Sequence, residues 1–82
     1  MTYIVFGTDQ CPHCEKAVDE LQQRGLKYKS VCFDDGQRAV LKEIKDAYEW
    51  KTVPMIFQRE GSNIQFIGGC SDLIQHLEQD EG

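Results

Sequence analysis

The stretch GTDQCPHCEKAVDEL, residues 7–21, places two cysteines three positions apart, directly before a helical pattern. The apolar run TYIVF, residues 2–6, precedes it and is typical of a buried strand that ends at Gly7. Pro12 suits the first turn of a helix, because the N–H that proline lacks would have no partner in that turn. Apolar residues then recur at helical spacing, and we predict a helix over residues 12–24. Two cysteines therefore lie at the start of the first helix, after the first strand.

The rest of the chain supplies two further helical patterns and three further strand patterns. In the first of these helices, apolar residues at i, i+4, i+7 and i+8 predict one inward-facing stripe of Val40, Ile44, Ala47 and Tyr48. The last two strands are separated by the polar stretch QREGS, which favours an antiparallel hairpin. We predict strands at residues 26–33, 52–57 and 63–68, and helices at residues 37–49 and 71–79.

The predicted order of elements is β-α-β-α-β-β-α. The first strand, the first helix and the second strand are expected to form a right-handed parallel crossover, and the last two strands a hairpin. The fold class is therefore α/β, with one four-stranded mixed sheet and three helices on its two faces. The 82 residues are enough for one small domain, which we expect to span residues 1–82.

Composition and charge exclude several classes of partner. The chain is 40% hydrophobic and 28% charged, with a formal net charge of −5, and the sequence pI is about 4.8. Affinity for nucleic acids depends on lysines and arginines that displace counterions, so this acidic balance predicts no nucleic-acid partner. The apolar run near the start is too short to cross a bilayer, so we expect no membrane partner and a cytoplasmic location. Nothing in the sequence points to an obligate dimer, and we expect a monomer.

Four cysteines leave several roles open for the pair Cys11 and Cys14. A structural zinc site needs four ligands, whereas Cys32 and Cys70 are isolated along the chain, so we predict no metal site. An iron–sulfur cluster would have to be shared between two chains through Cys11, which would make the protein a non-catalytic cluster-binding or metal-binding module. A two-disulfide scaffold is typical of secreted chains, and no export signal is visible.

The position of the pair favours redox chemistry over these alternatives. A cysteine one residue before a helix has its sulfur near unpaired backbone N–H groups and the positive end of the helix dipole, which favour thiolate over thiol. Cys11 has that position, and we predict that it is the attacking nucleophile. Cys14 lies one turn into the helix, where we expect it to be less exposed and to act as the resolving thiol. His13, when protonated, would stabilise the Cys11 thiolate and shift the couple toward oxidising.

Three separated segments together resemble one family: CPHC at residues 11–14, TVP at 52–54 and GGCSDL at 68–73. With these segments in this order, the chain resembles a dithiol glutaredoxin over essentially its whole length. The resemblance implies a thioredoxin-like fold, with Pro54 cis and facing the sulfur of Cys11. It also implies glutathione as co-substrate, no tightly bound cofactor, and the reduction of protein disulfides and glutathione mixed disulfides. Protein disulfide clients would be the partners, with ribonucleotide reductase among those that the family implies.

By the same resemblance, glutathione binds in a groove beside the two cysteines. The backbone of Val53 pairs with the extended tripeptide, Thr52 flanks it, and the turn from Gly69 to Asp72 receives the γ-glutamyl end. Asp72 can hold the ammonium group there. The implied site comprises Cys11 and Cys14 as catalytic residues, with His13, Lys51, Thr52, Val53, Pro54, Gly69, Cys70, Ser71 and Asp72 around glutathione.

The sequence departs from the usual dithiol glutaredoxin at three positions. His13 stands where the family usually has Tyr, Thr8 stands where Lys is common, and Leu41 lies at about the position of a Gln or Arg. These changes leave the cation for the glycyl carboxylate of glutathione undetermined. We expect Lys51, directly before TVP, to supply it. The alternatives on the second helix are Arg38 and Lys42.

A glutaredoxin-shaped electron donor that is reduced by thioredoxin reductase is the main alternative function. Such a protein would share CPHC and TVP without needing a glutathione groove. Among the other residues, Cys32 is expected to be an inert strand thiol, and His76 a surface residue of the last helix. Trp50 and Tyr48 are expected to pack rather than to stack on a substrate. Cys70 has two open roles, a backbone contact to glutathione or a thiol exposed to oxidation.

Overall fold

The computed structural model describes residues 1–8 and 11–81, with side chains through residue 79. Its elements follow the predicted order β-α-β-α-β-β-α, with one added 3-10 turn before the second helix. None of the helices in this part of the chain is long and apolar enough to cross a membrane. The strands are β1 Thr2–Thr8, β2 Tyr28–Phe33, β3 Met55–Glu60 and β4 Asn63–Gly68, the 3-10 turn is Asp35–Gln37, and the helices are α1 Pro12–Gln23, α2 Arg38–Ala47 and α3 Cys70–Glu81.

The four strands form one mixed sheet in the order β2-β1-β3-β4, which confirms the predicted architecture. β1 pairs in parallel with β2, and β3 pairs antiparallel with both β1 and β4. β1 is longer than predicted, because Gly7 does not end it but pairs with Cys32, and Thr8 pairs with Phe33. The parallel partner β2 thus continues the ladder past the glycine, toward the start of α1.

The main core lies between one face of the sheet and the helices α1 and α3. Tyr3 and Val5 of β1 and Ile56 of β3 are at most 2% exposed and belong to this core. Burying an aliphatic side chain of this kind contributes about 1.5–3 kcal/mol, so this layer anchors the two helices whose first turns border the cysteine pair. The helical residues of the core are Ala17, Leu21, Cys70, Leu73 and Leu77.

The opposite face of the sheet carries a cluster of aromatic rings. The ring centroid of Phe57 lies 5.2 Å from each of the centroids of Phe6, Tyr48 and Phe66. Tilted and edge-on ring pairs at this separation contribute about 0.5–1.5 kcal/mol each beyond the area they bury. The cluster therefore holds the end of α2, where Tyr48 lies, against the sheet.

The helix α2 buries a different stripe from the predicted one. Val40 and Ala47 are exposed, and Tyr48 is 47% exposed. Leu41, by contrast, is 4% exposed, and Ile44 is half-buried. The apolar residues of this segment fit two overlapping stripes at helical spacing. The stripe through Leu41 is the one that faces inward.

The strand β3 begins at Met55, later than the sequence predicts. Pro54 has no N–H to donate to a strand ladder, so the ladder does not extend back through it. The peptide bond between Val53 and Pro54 is cis, as the resemblance implies. Thr52 and Val53 therefore lie in the connection that precedes the sheet.

The helix α2 ends before a residue in the left-handed region, Glu49, whose φ is 53°. The N–H of Glu49 donates to the carbonyl of Asp46 at 3.2 Å. The N–H of Trp50 donates to the carbonyl of Lys45 at 2.8 Å. These two bonds form a Schellman motif, which ends the helix two residues earlier than predicted and holds the backbone of Trp50 in place.

Candidate active site

Cys11 and Cys14 form a disulfide, with their Cα atoms 5.2 Å apart. Cys11 is the N-cap of α1, and Pro12 occupies the first helical position. The Sγ of Cys11 accepts a hydrogen bond from the N–H of Cys14 at 3.3 Å. This sulfur therefore lies at the end of a helix where backbone N–H groups and the helix dipole stabilise negative charge. The predicted pair and its position at the helix start are confirmed.

The exposure of the two cysteines is the reverse of the prediction. Cys11 is 9% exposed, whereas Cys14 is half-buried. Both cysteines border a cavity of about 450 Å³ between α1 and the edge strand β2. We call this the edge-strand cavity. The cysteine that was expected to be shielded thus borders open space in the disulfide form.

Gly7 makes room for the side chain of Cys14. A Cβ built on Gly7 would lie 2.5 Å from the Sγ of Cys14 and 3.1 Å from its Cβ. The first distance is shorter than real Cβ contacts and the second is unusually tight, so any larger residue at position 7 would displace the Cys14 side chain. Gly7 is therefore part of the site, a role that its apparent position at the end of a strand did not reveal.

A second cavity, of about 290 Å³, lies beside Pro54. It brings together the segment before β3, the first turn of α3 and His13, which are far apart in the sequence. It is lined by eight of the nine residues that the sequence placed around glutathione, Lys51 being the exception. We call it the proline-side cavity. Its lining residues are His13, Trp50, Thr52, Val53, Pro54, Gly69, Cys70, Ser71 and Asp72.

The carboxylate of Asp72 is fixed at the start of α3. Its Oδ2 accepts a hydrogen bond from the N–H of Gly69 at 3.0 Å. Gly68, whose φ is 129°, permits this approach, because a Cβ there would lie 2.5 Å from the same oxygen. The proline-side cavity therefore presents a carboxylate beside the N-terminal end of α3, where main-chain N–H groups favour anions.

Trp50 also lines the proline-side cavity, although its expected role was packing alone. Its ring packs edge-on against Phe66 with centroids 5.2 Å apart, so the predicted packing is present as well. Its Cζ2 lies 3.6 Å from the point where a Cβ on Gly69 would be placed. The indole N–H is buried, with no hydrogen-bond partner among the described residues. The signal for this role was the position of Trp50 two residues before TVP.

The cations that were considered for the glycyl carboxylate of glutathione lie in different places in the structure. Lys51 is exposed and is not part of the lining of the proline-side cavity. Arg38 and Lys42 line a third cavity, which also borders Val53 and Thr8. We call this the α2-side cavity. Because Val53 borders both cavities, an extended ligand along Val53 would reach from one to the other.

The α2-side cavity holds a further cation that the sequence did not single out. Lys45 lines it and is half-buried, one turn after Lys42. Arg38 is engaged in an exposed ion pair with Asp35, with nitrogen and oxygen 3.0 Å apart. Lys42 and Lys45, which do not take part in the Arg38–Asp35 ion pair, also place positive charge at this cavity.

Cys70 is buried in the main core, at 8% exposure, although its residue also lines the proline-side cavity. Burial raises the pKa of the Cys70 thiol, an effect that Lys16 partly offsets and Glu20 reinforces. A buried thiol with a raised pKa is a poor nucleophile and resists oxidation. Of the two roles considered for Cys70, the structure therefore disfavours the exposed thiol.

Two other residues differ from their expected surroundings. Cys32, expected to be an inert strand thiol, is exposed on the edge strand and lines the edge-strand cavity with Cys11 and Cys14. His76, expected at the surface, is half-buried because its ring packs edge-on to Tyr3, with centroids 6.3 Å apart. Across residues 1–8 and 11–79, no group of three or more His, Cys, Asp or Glu side chains is arranged to hold a metal ion.

The fold and the cysteine pair together define a class of protein. A four-stranded mixed sheet with three helices, and a disulfide-forming CxxC at the start of the first helix, are the features of a thioredoxin-like thiol–disulfide oxidoreductase. The family model described as Glutaredoxin matches residues 3–61. The chain belongs to the glutaredoxin family.

Individual relatives and solved structures agree with this assignment. The chain is 35% identical to glutaredoxin-C2 of Arabidopsis thaliana over 80 residues, which cover 94% of this chain and 67% of that protein. It is 29% identical over 87 residues to a probable glutaredoxin of Acanthamoeba polyphaga mimivirus, with 94% and 78% covered. The dithiolic glutaredoxin of Trypanosoma brucei brucei matches with a TM-score of 0.71 and 31% identity, over 96% of this chain and 78% of that one. Glutaredoxin 1 of Francisella tularensis, at 21% identity, supports the fold with a TM-score of 0.74 over 96% and 94%.

Proposed function

We propose that this protein is a glutathione-dependent thiol–disulfide oxidoreductase that reduces protein disulfides and glutathione mixed disulfides. The family uses glutathione as a co-substrate, and this chain carries the family's disulfide-forming cysteine pair. The observation that carries the proposal is the proline-side cavity, in which residues 52–54 meet residues 69–72 beside the helix that begins after Cys11.

The chemistry of the proline-side cavity suits the γ-glutamyl end and the middle of glutathione. Val53 pairs through its backbone with the extended tripeptide, and Thr52 flanks it. The N–H groups at the start of α3, including that of Ser71, bind the γ-glutamyl carboxylate. Asp72, whose carboxylate is fixed by the N–H of Gly69, holds the γ-glutamyl ammonium group. The other walls are His13, Pro54 and the backbone of Cys70.

The glycyl carboxylate of glutathione needs a cation at the other end of the tripeptide. We propose Lys51, which lies directly before the TVP segment. Lys42 and Lys45 of the α2-side cavity are its competitors, since that cavity also borders Val53. The variants Lys51→Ala, Lys42→Ala and Lys45→Ala separate these assignments, because the KM for glutathione rises in the variant that has lost the cation. If the KM for glutathione rises only in Lys42→Ala or Lys45→Ala, the glycyl end of glutathione binds in the α2-side cavity instead.

Catalysis begins with the Cys11 thiolate. It attacks one sulfur of the substrate disulfide, whose S–S bond breaks as the Cys11–substrate bond forms, and the other sulfur leaves as a thiolate. Cys14 then attacks the Sγ of Cys11, which releases the second substrate thiolate and leaves the Cys11–Cys14 disulfide. One glutathione thiolate reopens this disulfide as a Cys11–glutathione mixed disulfide. A second glutathione thiolate attacks the sulfur of the bound glutathione. The two leave together as glutathione disulfide, and Cys11 is released as a thiolate.

Reduction of a glutathione mixed disulfide needs Cys11 alone. Cys11 attacks the glutathione sulfur, the client protein leaves as a thiolate, and a second glutathione regenerates Cys11 as in the dithiol cycle. Pro54 faces Cys11 in this proposal, and His13 stabilises its thiolate and raises the potential of the couple. The variant His13→Tyr then has a lower potential, by about 30 mV for each tenfold change in the equilibrium constant. An unchanged potential removes His13 from this role.

The proposal is tested by turnover coupled to NADPH through glutathione and glutathione reductase. We expect Cys11→Ser to lose activity on both a small glutathione mixed disulfide and a protein disulfide. We expect Cys14→Ser to lose activity on the protein disulfide only. Turnover supported by thioredoxin reductase but not by glutathione would contradict the proposal and favour the alternative electron donor.

A matched pair of variants on α3 tests the glutathione groove itself. Asp72→Asn removes the charge that holds the ammonium group, and a hydrogen bond to a charged group contributes about 1.5–3 kcal/mol. We therefore expect the KM for glutathione to rise at least about tenfold, with kcat little changed. Glu78→Gln removes one charge from an exposed position on the same helix and leaves KM unchanged. Equal effects of the two variants would refute the groove.

The wider setting is proposed on the same basis. We propose that residues 1–82 form one domain that acts as a monomer in the cytoplasm, without nucleic-acid or membrane partners. Its clients are proteins with accessible disulfides, and ribonucleotide reductase is the first client to test. No cofactor is bound tightly in this scheme, because glutathione enters and leaves as a co-substrate.

A further inference from the structure

Cys32 lies beside the cysteine pair although it is distant from it in the sequence. In the parallel ladder, Cys32 of β2 is the partner of Gly7 of β1. Partner residues on neighbouring parallel strands project their side chains to the same face, and the strands are about 4.8 Å apart. The space above Gly7 on that face is filled by Cys14, whose Sγ is 2.5 Å from the position of a Gly7 Cβ. Cys32 is therefore the lateral neighbour of the Cys14 sulfur.

The edge-strand cavity gives these sulfurs a common space. It is lined by Cys11, Cys14 and Cys32, and α1 walls it with Val18 and Gln22. Cys32 is exposed, and it lies on the edge strand β2, which has a neighbouring strand on one side only. Cys70, in contrast, lies in the main core and is not part of this lining.

We propose that Cys32 is a third redox-active cysteine, which exchanges with the Cys11–Cys14 disulfide and converts it into a Cys14–Cys32 disulfide. The Cys32 thiolate attacks the Sγ of Cys14. The Cys11–Cys14 bond breaks as the Cys14–Cys32 bond forms, and Cys11 leaves with the electron pair. The proton that Cys32 gives up is balanced by the one that Cys11 takes up when it is protonated. The step is an isomerisation and needs no oxidant or reductant.

The direction of attack follows from the two sulfurs of the disulfide. The Sγ of Cys11 accepts a hydrogen bond from the N–H of Cys14 at the start of α1. This hydrogen bond stabilises Cys11 as the leaving thiolate. Both sulfurs border the cavity, but Cys14 is the more exposed of the two, and its Sγ lies above Gly7, the ladder partner of Cys32. Attack on Cys14 therefore combines the sulfur that lies over the ladder partner of Cys32 with the better leaving group.

The consequence is a second form of the oxidised protein. In that form Cys14 is blocked, and Cys11 is a single thiol in its original position at the helix start. The form can accept glutathione on Cys11 but cannot complete the dithiol cycle. Cys32 thus switches the site between dithiol and monothiol chemistry. This inference goes beyond the proposed use of glutathione and depends only on the cysteine pair and its neighbour.

Peptide mapping of the oxidised wild-type protein tests the inference. The protein is reduced, oxidised with one equivalent of diamide at low concentration, equilibrated, quenched in acid, alkylated with N-ethylmaleimide and digested with trypsin. Cleavage after Lys16, Lys29 and Arg38 puts the pair in residues 1–16 and Cys32 in residues 30–38. We expect a cross-link between these two peptides with N-ethylmaleimide on Cys11. Cys70, in residues 60–82, stays outside any disulfide and serves as the internal control.

Two variants assign the bond. In Cys32→Ser, an exposed and conservative change, the cross-link and the labelling of Cys11 are lost, and only the disulfide within residues 1–16 is found. In Cys14→Ser, the cross-link between residues 1–16 and 30–38 is lost. The inference is overturned if the wild-type monomer shows no cross-link at equilibrium, if the cross-link persists in Cys14→Ser, or if it occurs only in a covalent dimer on a non-reducing gel.

Discussion

The Sγ of Cys14 lies 2.5 Å from the point that a Cβ on Gly7 would occupy, so the first turn of α1 is fitted to one glycine of the strand below it. Gly7 lies on β1, which has a strand on each side. The sheet therefore cannot move away from the helix at this point without losing ladder hydrogen bonds on both sides.

This close fit predicts a strong effect of Gly7→Ala. The added methyl group displaces Cys14 or tilts α1, and overpacking of this kind costs about 1–3 kcal/mol. We expect urea unfolding to show that loss, together with slower reduction of a protein disulfide, because Cys14 is no longer aligned with Cys11. Gly36→Ala is the control, since a Cβ there has its nearest contact at 3.4 Å and no positive φ. Equal stability of the two variants would show that Cys14 can move freely.

Alanine variants of a second pair of glycines distinguish the effect of backbone strain on stability from an effect on the proline-side cavity. Gly68 and Gly61 both have positive φ, at 129° and 61°. A Cβ on Gly68 would meet the Asp72 carboxylate, whereas one on Gly61 would meet nothing within 4 Å. We expect both alanine variants to lose roughly 1 kcal/mol or more of stability, and only Gly68→Ala to raise the KM for glutathione. An unchanged KM in Gly68→Ala contradicts the role of Asp72.

The left-handed residues that follow α1 and α2 predict that a glycine raises stability there and that a non-glycine residue lowers it. Gly25 (φ 68°) and Glu49 (φ 53°) hold the same left-handed position after their helices. A non-glycine residue in this conformation costs about 1–2 kcal/mol, and glycine avoids that cost but loses more backbone freedom on folding, which offsets part of the gain. We expect Glu49→Gly to stabilise the protein by about 1 kcal/mol and Gly25→Ala to destabilise it by about the same amount. Thermal unfolding measures both, and destabilisation by Glu49→Gly would show that its side chain contributes more than its strain costs.

Burial of Cys70 predicts a difference in alkylation between the two thiols outside the pair. Because burial raises the pKa of Cys70 above its ordinary value of 9.0, less of it is thiolate at any given pH. We expect iodoacetamide to label exposed Cys32 faster than Cys70 in the reduced protein from pH 7 to pH 9. Stability contributed by the neutral Cys70 thiol is complete below the pKa of the unfolded chain and is lost as the pH rises through the higher folded pKa. Equal labelling rates would place Cys70 outside the core.

Much of the fold could be predicted from the sequence because its local signals agree with each other. Pro12 and Gly25 mark the start and the end of α1, and alternating apolar runs mark the strands. The phase of α2 could not be predicted, because Val40 and Leu41 both begin an apolar stripe and only packing against the sheet chooses between them. The start of β3 was misplaced because the apolar run continues backward through Pro54, which cannot join the ladder.

The candidate site shows the same division between local and spatial information. The pair Cys11 and Cys14 carries its chemistry in its spacing and in the proline between its members. Gly7 and Trp50 lack such a pattern, and their roles arise from contacts with residues that are remote in the sequence or in a different element. Lys45 is similar, since only the packing of α2 places it beside Lys42 in a cavity rather than on a solvated face.

The hydrogen bond from the N–H of Cys14 to the sulfur of Cys11 couples the chemistry of this protein to the integrity of its first helix. In the proposed mechanism, the sulfur that takes part in each transfer is also the group that caps the helix, so every change in its oxidation state changes the strength of that cap. Hydrogen exchange at the Cys14 amide should therefore slow when Cys11 is a thiolate and quicken when it is bonded to a client. The backbone itself would then report which stage of the cycle each molecule has reached.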